Sequence, residues 1–176
     1  MFLGIDPGGT GALALYVPPI KARKGAPAVP YVINVWDMPV NEITVGKTKR
    51  KRLDVIGLSD LLDEICMLQN PDKIIVEQVG GMPGQASGFA FGFGVGALHA
   101  VLIMKRLPFE VVTPGKWKKD VKAPKDKKEA AVRAEELFPD ARPLWRPVGR
   151  GGKEAVRHDR AEAVLLAYWA STQGGK

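Results

Sequence analysis

The sequence has one cysteine, two histidines and no apolar run long enough to span a membrane, and each scarcity excludes a class of protein. A lone Cys66 excludes internal disulfides and a zinc site built from thiolates. A transmembrane helix needs about 18 or more consecutive apolar residues, so none is expected. The chain opens directly into a strand-like run, without the pattern of a removable signal segment. We therefore expect a cytoplasmic protein in a reducing compartment, with no membrane partner.

The length and composition predict one domain spanning residues 1–176. The chain has 176 residues, of which 45% are hydrophobic, and its mean hydropathy is −0.07. Such a chain can bury one sizeable core but not two. Residues 18–30 and 139–157 combine prolines, glycines and basic residues without a periodic apolar pattern, so we predict loops there. Residues 172–176 are predicted to form a tail.

The positive charge is concentrated in three segments. The formal net charge is +7, and residues 47–52, 116–128 and 142–157 contain five, seven and five basic residues. A surface that only keeps the protein in solution would intersperse acids, and acids are sparse in these segments. We therefore predict a polyanionic partner, nucleic acid above all, with a solvated face as the alternative. The stretch Lys47–Arg52 is interpreted as an exposed loop.

The order of apolar runs predicts an α/β fold. Five strands are predicted, at residues 2–6, 12–17, 31–37, 73–77 and 109–112. Helices are predicted at 54–69, then up to about Arg106, from Asp126 to Pro139 and from His158 to Ala170. A right-handed crossover through the first helix, which Asp54 caps, would place the fourth strand parallel to the first. The expected architecture is a mixed five-stranded sheet flanked by helices.

Several predicted elements have a carboxylate at one end. Asp6 ends the first strand before a turn of proline and glycines, and Glu77 ends the fourth strand. The last helix opens at His158, and Asp159 and Glu162 share one of its faces because they are three residues apart. Each acid also has an ordinary interpretation. Asp6 can simply start a turn, Glu77 can be a solvated residue at a strand end, and Asp159 with Glu162 can form a capping box. If the two strands are neighbours, the acids can converge at one edge of the sheet.

Converging carboxylates of this kind predict a site for hard divalent cations. Four acids in one place would repel one another, and divalent cations remove that repulsion. All-oxygen ligands select Mg²⁺ or Mn²⁺ over zinc, and the scarcity of cysteine and histidine gives a soft-metal site no support. Two such ions about 4 Å apart would activate a water and stabilise the leaving oxygen of a phosphodiester. Together with the basic segments, the acids predict a nuclease.

Three segments, taken in order, carry a resemblance to a known family. They are Ile5-Asp6-Pro7-Gly8, Val76-Glu77-Gln78 and Asp159-Arg160-Ala161-Glu162-Ala163. They resemble the signatures of RuvC-type Holliday junction resolvases, which belong to the RNase H-like superfamily. The bacteriophage and chloroplast branches are most similar, since they share Trp36-Asp37-Met38-Pro39, Pro83-Gly84-Gln85, Ser87-Gly88-Phe89 and Val112-Thr113-Pro114 followed by Trp117-Lys118. The likeness covers most of the chain outside 18–30 and 139–155, and the ordered set is specific although each motif alone is weak.

The resemblance implies a Mg²⁺-dependent homodimer that makes two symmetric nicks in a four-way DNA junction, in a bacterial or phage-infected host cell. It assigns the metal ligands to Asp6, Glu77, Asp159 and Glu162, with Mn²⁺ as a substitute ion. It also matches Lys118 to a family lysine near the scissile phosphate.

Two positions depart from the pattern of bacterial RuvC. The last acid is Glu162 where bacterial RuvC has Asp, and some relatives use a histidine in this helix, so His158 competes with Asp159 as a ligand. Bacterial RuvC also has a phenylalanine three residues after the strand Glu, where this sequence has Gly80. The sequence therefore leaves undecided which residue opens the junction centre.

DNA contacts are predicted from the basic segments and from the motifs shared with the family. The residues are Lys49, Arg50, Lys51, Gln85, Ser87, Phe89, Lys116, Lys118 and Lys119. Within 88–96, glycines recur at every fourth residue, which indicates a close approach on one helix face. Either a helix or a dimer partner packs there with the phenylalanines as core, or Phe89 stacks on unpaired bases at the junction centre.

Two other functions share parts of the pattern. A sugar kinase or related ATPase would use Gly4–Thr10 as a phosphate-gripping turn, but it needs two such domains around a cleft. A junction-binding module without chemistry would keep the basic segments and lose acids, whereas this sequence has all of them.

Overall fold

The computed structural model describes residues 1–19, 31–80, 86–124, 126–149 and 152–173. The strands in these ranges are β1 (Phe2–Asp6), β2 (Ala12–Val17), β3 (Tyr31–Asp37), β4 (Val40–Val45), β5 (Thr48–Leu53), β6 (Lys73–Glu77) and β7 (Phe109–Val112). The helices are α1 (Val55–Gln69), α2 (Ala86–Met104), α3 (Pro114–Asp120), α4 (Lys127–Leu137) and α5 (His158–Thr172), with a 3-10 helix over Pro139–Leu144. None of the described helices is both long and apolar enough to cross a bilayer.

Five of the strands form one sheet in the order β3-β2-β1-β6-β7, and β4 pairs with β5 in a separate hairpin. β1 is antiparallel to β2 and parallel to β6, so the sheet is mixed. α1 supplies the crossover between the meander and β6. The predicted mixed five-stranded sheet flanked by helices is therefore confirmed, including the parallel pairing of the first strand with the fourth strand of the prediction.

Helices cover both faces of the sheet because its central strands are apolar on both sides. Every residue of β2 is buried. Ala14 and Tyr16 face the cluster formed by α4 and α5, whereas Leu13 and Leu15 face the cluster formed by α1 and α2. A strand with two buried faces appears in a sequence as a continuous apolar run rather than an alternating one. The core thus consists of two layers separated by the sheet.

The contact between α5 and β1 is made at Gly4. A Cβ atom at this position would lie 2.4 Å from the backbone oxygen of Ala163 and 2.6 Å from the backbone nitrogen of Ala167. Glycine is therefore required for the helix to approach the strand this closely. Asp6 lies two residues beyond Gly4 and so on the same face of β1. The close approach places the first turns of α5 beside the end of β1.

α1 begins and ends where its sequence predicts. The carboxylate of Asp54 accepts a hydrogen bond of 3.0 Å from the backbone nitrogen of Gly57, which is an N-cap worth about 1 kcal/mol. Leu58, Leu62 and Ile65 are buried on one face. At the other end, Asn70 adopts the left-handed conformation with φ of 42°, and its backbone nitrogen caps the helix.

The prediction of a loop over Lys47–Arg52 is wrong. Thr48 to Arg52 lie in β5, which pairs in antiparallel register with β4, and Lys47 lies with Gly46 in the turn between the two strands. Residues Thr48 to Arg52 are all exposed, so the strand has no apolar face that periodicity could reveal. Pairing with β4 satisfies the backbone, and the basic side chains project into solvent.

Part of the predicted loop over 139–157 has regular structure. It contains the 3-10 helix, and Trp145 directly after that helix is fully buried. The backbone nitrogen of Arg157 donates a 2.8 Å hydrogen bond to the backbone oxygen of Trp145, which ties the segment to the start of α5. Residues 20–30 of the other predicted loop lie outside the described residues, as do 174–176 of the predicted tail.

Candidate active site

The carboxylates that end β1 and β6 lie at the same edge of the sheet. β1 and β6 are parallel neighbours in which Ile5 pairs with Val76, so Asp6 and Glu77 each follow by one residue. Both side chains face α5, because Gly4 and Ile75, two residues earlier in each strand, face that layer. Asp6 is 6% exposed and Glu77 is 7% exposed.

α5 brings two further acids to this edge. One carboxylate oxygen each from Asp6, Asp159 and Glu162 lie within 4.8 Å of one another. Glu162 is buried and Asp159 is half-buried. Three oxygen donors this close suit a hard divalent cation, since such ions accept carboxylates from separate elements. We call Asp6, Asp159 and Glu162 the acidic cluster.

The start of α5 argues against the capping-box interpretation of its acids. The N-cap residue is Arg157, whose side chain makes no capping hydrogen bond, and the helix begins at His158. Asp159 is therefore the second helical residue, and Glu162 lies in the second turn with 2% exposure. A capping carboxylate would precede the helix and accept its first free amides. His158 is half-buried and is not a member of the acidic cluster.

α3 supplies two side chains that contact the predicted ligands. The indole Nε1 of Trp117 donates a 2.9 Å hydrogen bond to Oε1 of Glu77, and Trp117 is fully buried. Lys118 Nζ forms an ion pair with Glu162 Oε1. Adjacent residues of α3 therefore hold both acids: Trp117 orients the carboxylate at the end of β6, and Lys118 supplies the counter-charge for the buried Glu162. Lys118 was predicted at the site, but the role of Trp117 was not.

A second pair of residues fixes the start of α5. Arg160 binds Asp37 through two hydrogen bonds, of 2.6 Å from Nε and 2.8 Å from Nη2, and donates a third of 2.8 Å to the backbone oxygen of Leu144. The hydrogen bonds from Arg160 hold the pKa of Asp37 below its usual value. Since Arg160 directly follows Asp159, this pair joins the end of β3 to the turn that carries the acidic cluster. The motif Trp36-Asp37-Met38-Pro39 singled out Asp37 in the sequence but did not identify Arg160 as its partner.

Solved structures match nearly the whole chain. Thermus thermophilus RuvC matches with a TM-score of 0.58 at 15% sequence identity, covering 98% of this chain and 96% of that chain. The chain has the RuvC fold. T. thermophilus RuvC in complex with a Holliday junction substrate gives a TM-score of 0.57 at 16% identity, covering 98% of this chain and 95% of that one.

A fowlpox virus resolvase in complex with substrate Holliday junction DNA also matches, with a TM-score of 0.47 at 14% identity and coverage of 97% and 99%. No family model and no curated protein matches this sequence. The RNase H-like fold predicted from the sequence is confirmed by the match to RuvC.

The predicted basic DNA contacts lie on two elements, β5 and α3. Lys49, Arg50 and Lys51 project from the exposed β5, and Lys49 lies 3.5 Å from Glu42 on the paired strand. Lys116 and Lys119 are exposed on α3, beside the partly buried Lys118. Gln85 and the side chain of Ser87 lie outside the described residues.

Phe89 and Phe93 of α2 do not belong to the core of the single chain, and the packing of a dimer partner on this face of α2 stays a prediction. Phe89 is 82% exposed and Phe93 is 48% exposed. A Cβ atom built at Gly92 or Gly96 would meet nothing within 4 Å, so no described part of this chain packs closely against that face. The stacking of Phe89 on unpaired bases stays a prediction.

Proposed function

We propose that the protein is a structure-selective endodeoxyribonuclease that resolves four-way DNA junctions by paired symmetric nicks. The observation that carries the proposal is the acidic cluster, in which Asp6, Asp159 and Glu162 place carboxylate oxygens within 4.8 Å of one another. We expect a polyanion to reach this cluster across the basic surface of other elements. Arg50 and Lys51 on β5 and Lys116 and Lys119 on α3 supply that surface.

The chemistry we infer is metal-assisted hydrolysis of a phosphodiester. The donor set fits Mg²⁺, with Mn²⁺ as a substitute, because every donor is a carboxylate oxygen. The acidic cluster would hold the cations together with Glu77, and His158 stands as the alternative ligand to Asp159. Bound in this way, two cations would activate a water and stabilise the leaving oxygen.

The protein's own residues position the acids and the phosphate. Trp117 holds the carboxylate of Glu77 in one orientation through its indole hydrogen bond. Lys118 balances the charge of Glu162 through their ion pair, and we assign to it a contact with a phosphate oxygen of the DNA. Because the acidic cluster is built on packed elements, its geometry needs little rearrangement when DNA binds.

Branched DNA is the substrate we propose, and a homodimer is the acting form. T. thermophilus RuvC, which shares this fold, has been solved in complex with a Holliday junction substrate. Paired symmetric nicks need two active sites, and the described residues of one chain contain one acidic cluster. A two-fold dimer would supply the second site. The exposed side chains of Ile56, Met67 and Leu68 on α1 leave apolar surface that a second copy can cover.

Incubation of the purified protein with strand-labelled four-way junctions tests the function. We expect nicks at symmetric positions in two opposing strands with Mg²⁺, no nicks with EDTA, and little or no cutting of plain duplex of the same sequence. Light scattering on the same preparation should give twice the monomer mass. Failure to cut junctions under any divalent cation would refute the proposal.

The two rival functions are weaker in the light of the site. A junction-binding module without chemistry has no use for three acids gathered in a largely buried cluster. A sugar kinase would require a second domain across a cleft, and none is predicted within 176 residues. The cytoplasmic location stays a prediction.

A further inference from the structure

The chain doubles back on itself just before α5. Residues 145–149 and 152–157 form two limbs, and an antiparallel bridge joins Val148 on the first to Glu154 on the second. We call these two limbs the pre-helix segment. The second limb continues directly into α5, so whatever fixes this limb also bears on the position of Asp159.

Four charged side chains hold the pre-helix segment against α4. Arg142 binds Glu154 through two parallel hydrogen bonds, of 2.6 Å from Nη1 to Oε1 and 2.7 Å from Nη2 to Oε2. Nε of Arg142 lies 3.6 Å from Oε2 of Glu135 on α4, and Arg146 forms an ion pair with Oε1 of the same Glu135. Two acids and two bases therefore alternate, and their charges cancel. We call these four residues the charge clamp.

The charge clamp changes the meaning of the basic residues within 142–157. The sequence predicts a polyanionic partner from all five of them. Arg142 and Arg146 are paired with acids of their own chain, so their charges are balanced before any DNA binds. Lys153, by contrast, is exposed and lies outside the charge clamp. Only part of the positive charge in this stretch is therefore available to a phosphate backbone.

Backbone contacts connect the charge clamp to the acidic cluster. The backbone nitrogen of Arg157 donates a 2.8 Å hydrogen bond to the oxygen of Trp145, which is fully buried. Val156 packs against the core cluster that contains α5. Arg157 is the N-cap residue of α5, and Asp159 follows it by two positions. A shift of the second limb would thus be passed to Asp159, and misplacing a reacting group by about 1 Å can cost about a hundredfold in rate.

We propose that Arg142 and Glu154 are positioning residues that set the place of Asp159 in the acidic cluster, and that they do not contact DNA. This inference rests on the proposed nuclease function. Their side chains are 42% and 36% exposed, and an ion pair this exposed adds little to the stability of a fold. The paired hydrogen bonds instead fix one relative orientation of the two side chains. Breaking them should let Asp159 move relative to Asp6, which is held by the sheet, and so weaken the cation site.

The test measures cation binding and DNA binding separately. The variants are Arg142→Gln, Glu154→Gln and the double variant R142Q/E154Q. Mn²⁺ affinity without DNA would be measured by electron paramagnetic resonance, and junction Kd values by fluorescence anisotropy in EDTA over a range of salt concentrations. The Mg²⁺ concentration for half-maximal nicking would come from single-turnover reactions, and folding from urea unfolding.

We expect each single variant to weaken Mn²⁺ binding and raise the half-maximal Mg²⁺ concentration about three- to tenfold. This is less than the 10- to 100-fold typical of side chains that touch a metal ligand directly, because the charge clamp acts through the chain. Junction Kd and its salt dependence should stay as in the wild type. Since the two residues act as a pair, the double variant should be no worse than either single variant.

Glu136→Gln is the matched control. It breaks the 2.8 Å ion pair with Arg133 on the same helix, one residue beyond Glu135 and outside the charge clamp. Cation binding by this variant should equal that of the wild type. A second control, Lys153→Gln, changes a charge next to Glu154 and should also leave cation binding unchanged.

Four outcomes would overturn the proposal. The first is wild-type Mn²⁺ affinity in both single variants, and the second is a weaker salt dependence of junction binding in Arg142→Gln, which would make Arg142 a DNA contact. The third is an equal loss of Mn²⁺ affinity in Glu136→Gln. The fourth is a lower unfolding free energy in the single variants with unchanged Mn²⁺ affinity, which is a purely structural role. If the wild-type protein nicks no junction, the nuclease proposal fails, and Mn²⁺ binding still decides the role of the charge clamp.

Discussion

The acidic cluster and the β4–β5 hairpin are built in opposite ways. Asp6 and Glu162 sit on β1 and α5, in the most deeply packed layer, with 6% and 2% exposure. Arg50 and Lys51 sit on a two-stranded hairpin outside the sheet, with their side chains in solvent. The hairpin contacts the turn that follows Asp6, since a Cβ atom at Gly9 would lie 3.3 Å from Cβ of Lys51.

The difference shows which property each site requires. Chemistry on a phosphodiester needs carboxylates held within fractions of an ångström, and close packing of rigid elements provides that. Binding DNA needs positive charge and a surface that can adapt. Exposed side chains on a hairpin provide both without disturbing the core. Substitutions in the acidic cluster should therefore abolish the reaction and spare binding, whereas substitutions in the hairpin should do the reverse.

The largest effect is expected from neutralising an acid of the cluster. Asp6→Asn keeps the side-chain shape and removes the charge, so nicking should fall by several orders of magnitude while junction binding is nearly unchanged. Glu77→Gln, Asp159→Asn and Glu162→Gln should behave alike, Glu162 because it is not a helix cap. Rates under single turnover and Kd values in EDTA would measure the two quantities. Asp60→Asn, on the exposed face of α1, is the control, and strong Mg²⁺-dependent cutting by Asp6→Asn would refute the mechanism.

A smaller effect is expected from Trp117→Phe. This change keeps most of the buried ring and removes the hydrogen bond to Glu77, so the carboxylate loses its fixed orientation. Loss of such a supporting contact typically weakens metal affinity about 10- to 100-fold. We expect a corresponding rise in the Mg²⁺ concentration that gives half-maximal nicking, with junction binding in EDTA unchanged.

Trp145 offers a matched control for that experiment. It is equally buried, and its Nε1 has no hydrogen-bond partner among the described residues. Trp145→Phe should therefore leave the Mg²⁺ dependence as in the wild type. A similar shift in both variants would mean that loss of ring packing, rather than the bond to Glu77, is responsible.

The next effect concerns stability and compares two glycines. Gly4→Ala would force a Cβ atom into the backbone of α5, which should destabilise the fold by about 1–3 kcal/mol and displace the acids of α5. Gly92→Ala adds a Cβ atom where nothing lies within 4 Å, so it should stabilise α2 by about 1 kcal/mol. Urea unfolding of both variants and their nicking rates would test this. Equal unfolding free energies would contradict the close approach at Gly4.

The smallest effect is expected from the hairpin charges. With six or more phosphates neutralised, log Kd should depend on log salt with a slope magnitude of about 5 or more. Replacing Lys49, Arg50 and Lys51 by alanine should lower that magnitude by up to about 3, while the nicking rate at saturating protein changes little. Lys73→Ala, at the opposite end of the sheet, is the control. An unchanged slope would mean that the basic side chains of the hairpin are only solvated and do not contact DNA.

Sequence reasoning predicted that the acids converge at one edge of the sheet, because the sequence patterns that indicate it are local. The apolar runs that end in Asp6 and Glu77 indicate core strands, and a crossover helix between them makes those strands parallel neighbours. The helical spacing of Asp159 and Glu162 gives them a common face. Convergence of these acids then follows from the general rules of α/β folds.

What sequence reasoning missed depends on contacts between distant residues. The hydrogen bond from Trp117 to Glu77 spans 40 positions, and the pair of Arg160 with Asp37 spans 123. Neither contact has a periodic signature. The hairpin was missed for another reason: β5 is a run of basic residues with no buried face, so hydrophobic alternation, the signal of a half-buried strand, is absent.

The separation of the β4–β5 hairpin from the five-stranded sheet has a consequence for hydrogen exchange. A two-stranded ribbon is at best marginally stable on its own in water. The amide protons of β4 and β5 should therefore exchange through local opening, at a small fraction of the global unfolding free energy, while those of β1 and β2 should wait for global unfolding. Binding of a junction should slow exchange in the hairpin far more than in the sheet. The ordering of this ribbon would then be a step of substrate recognition that is visible amide by amide.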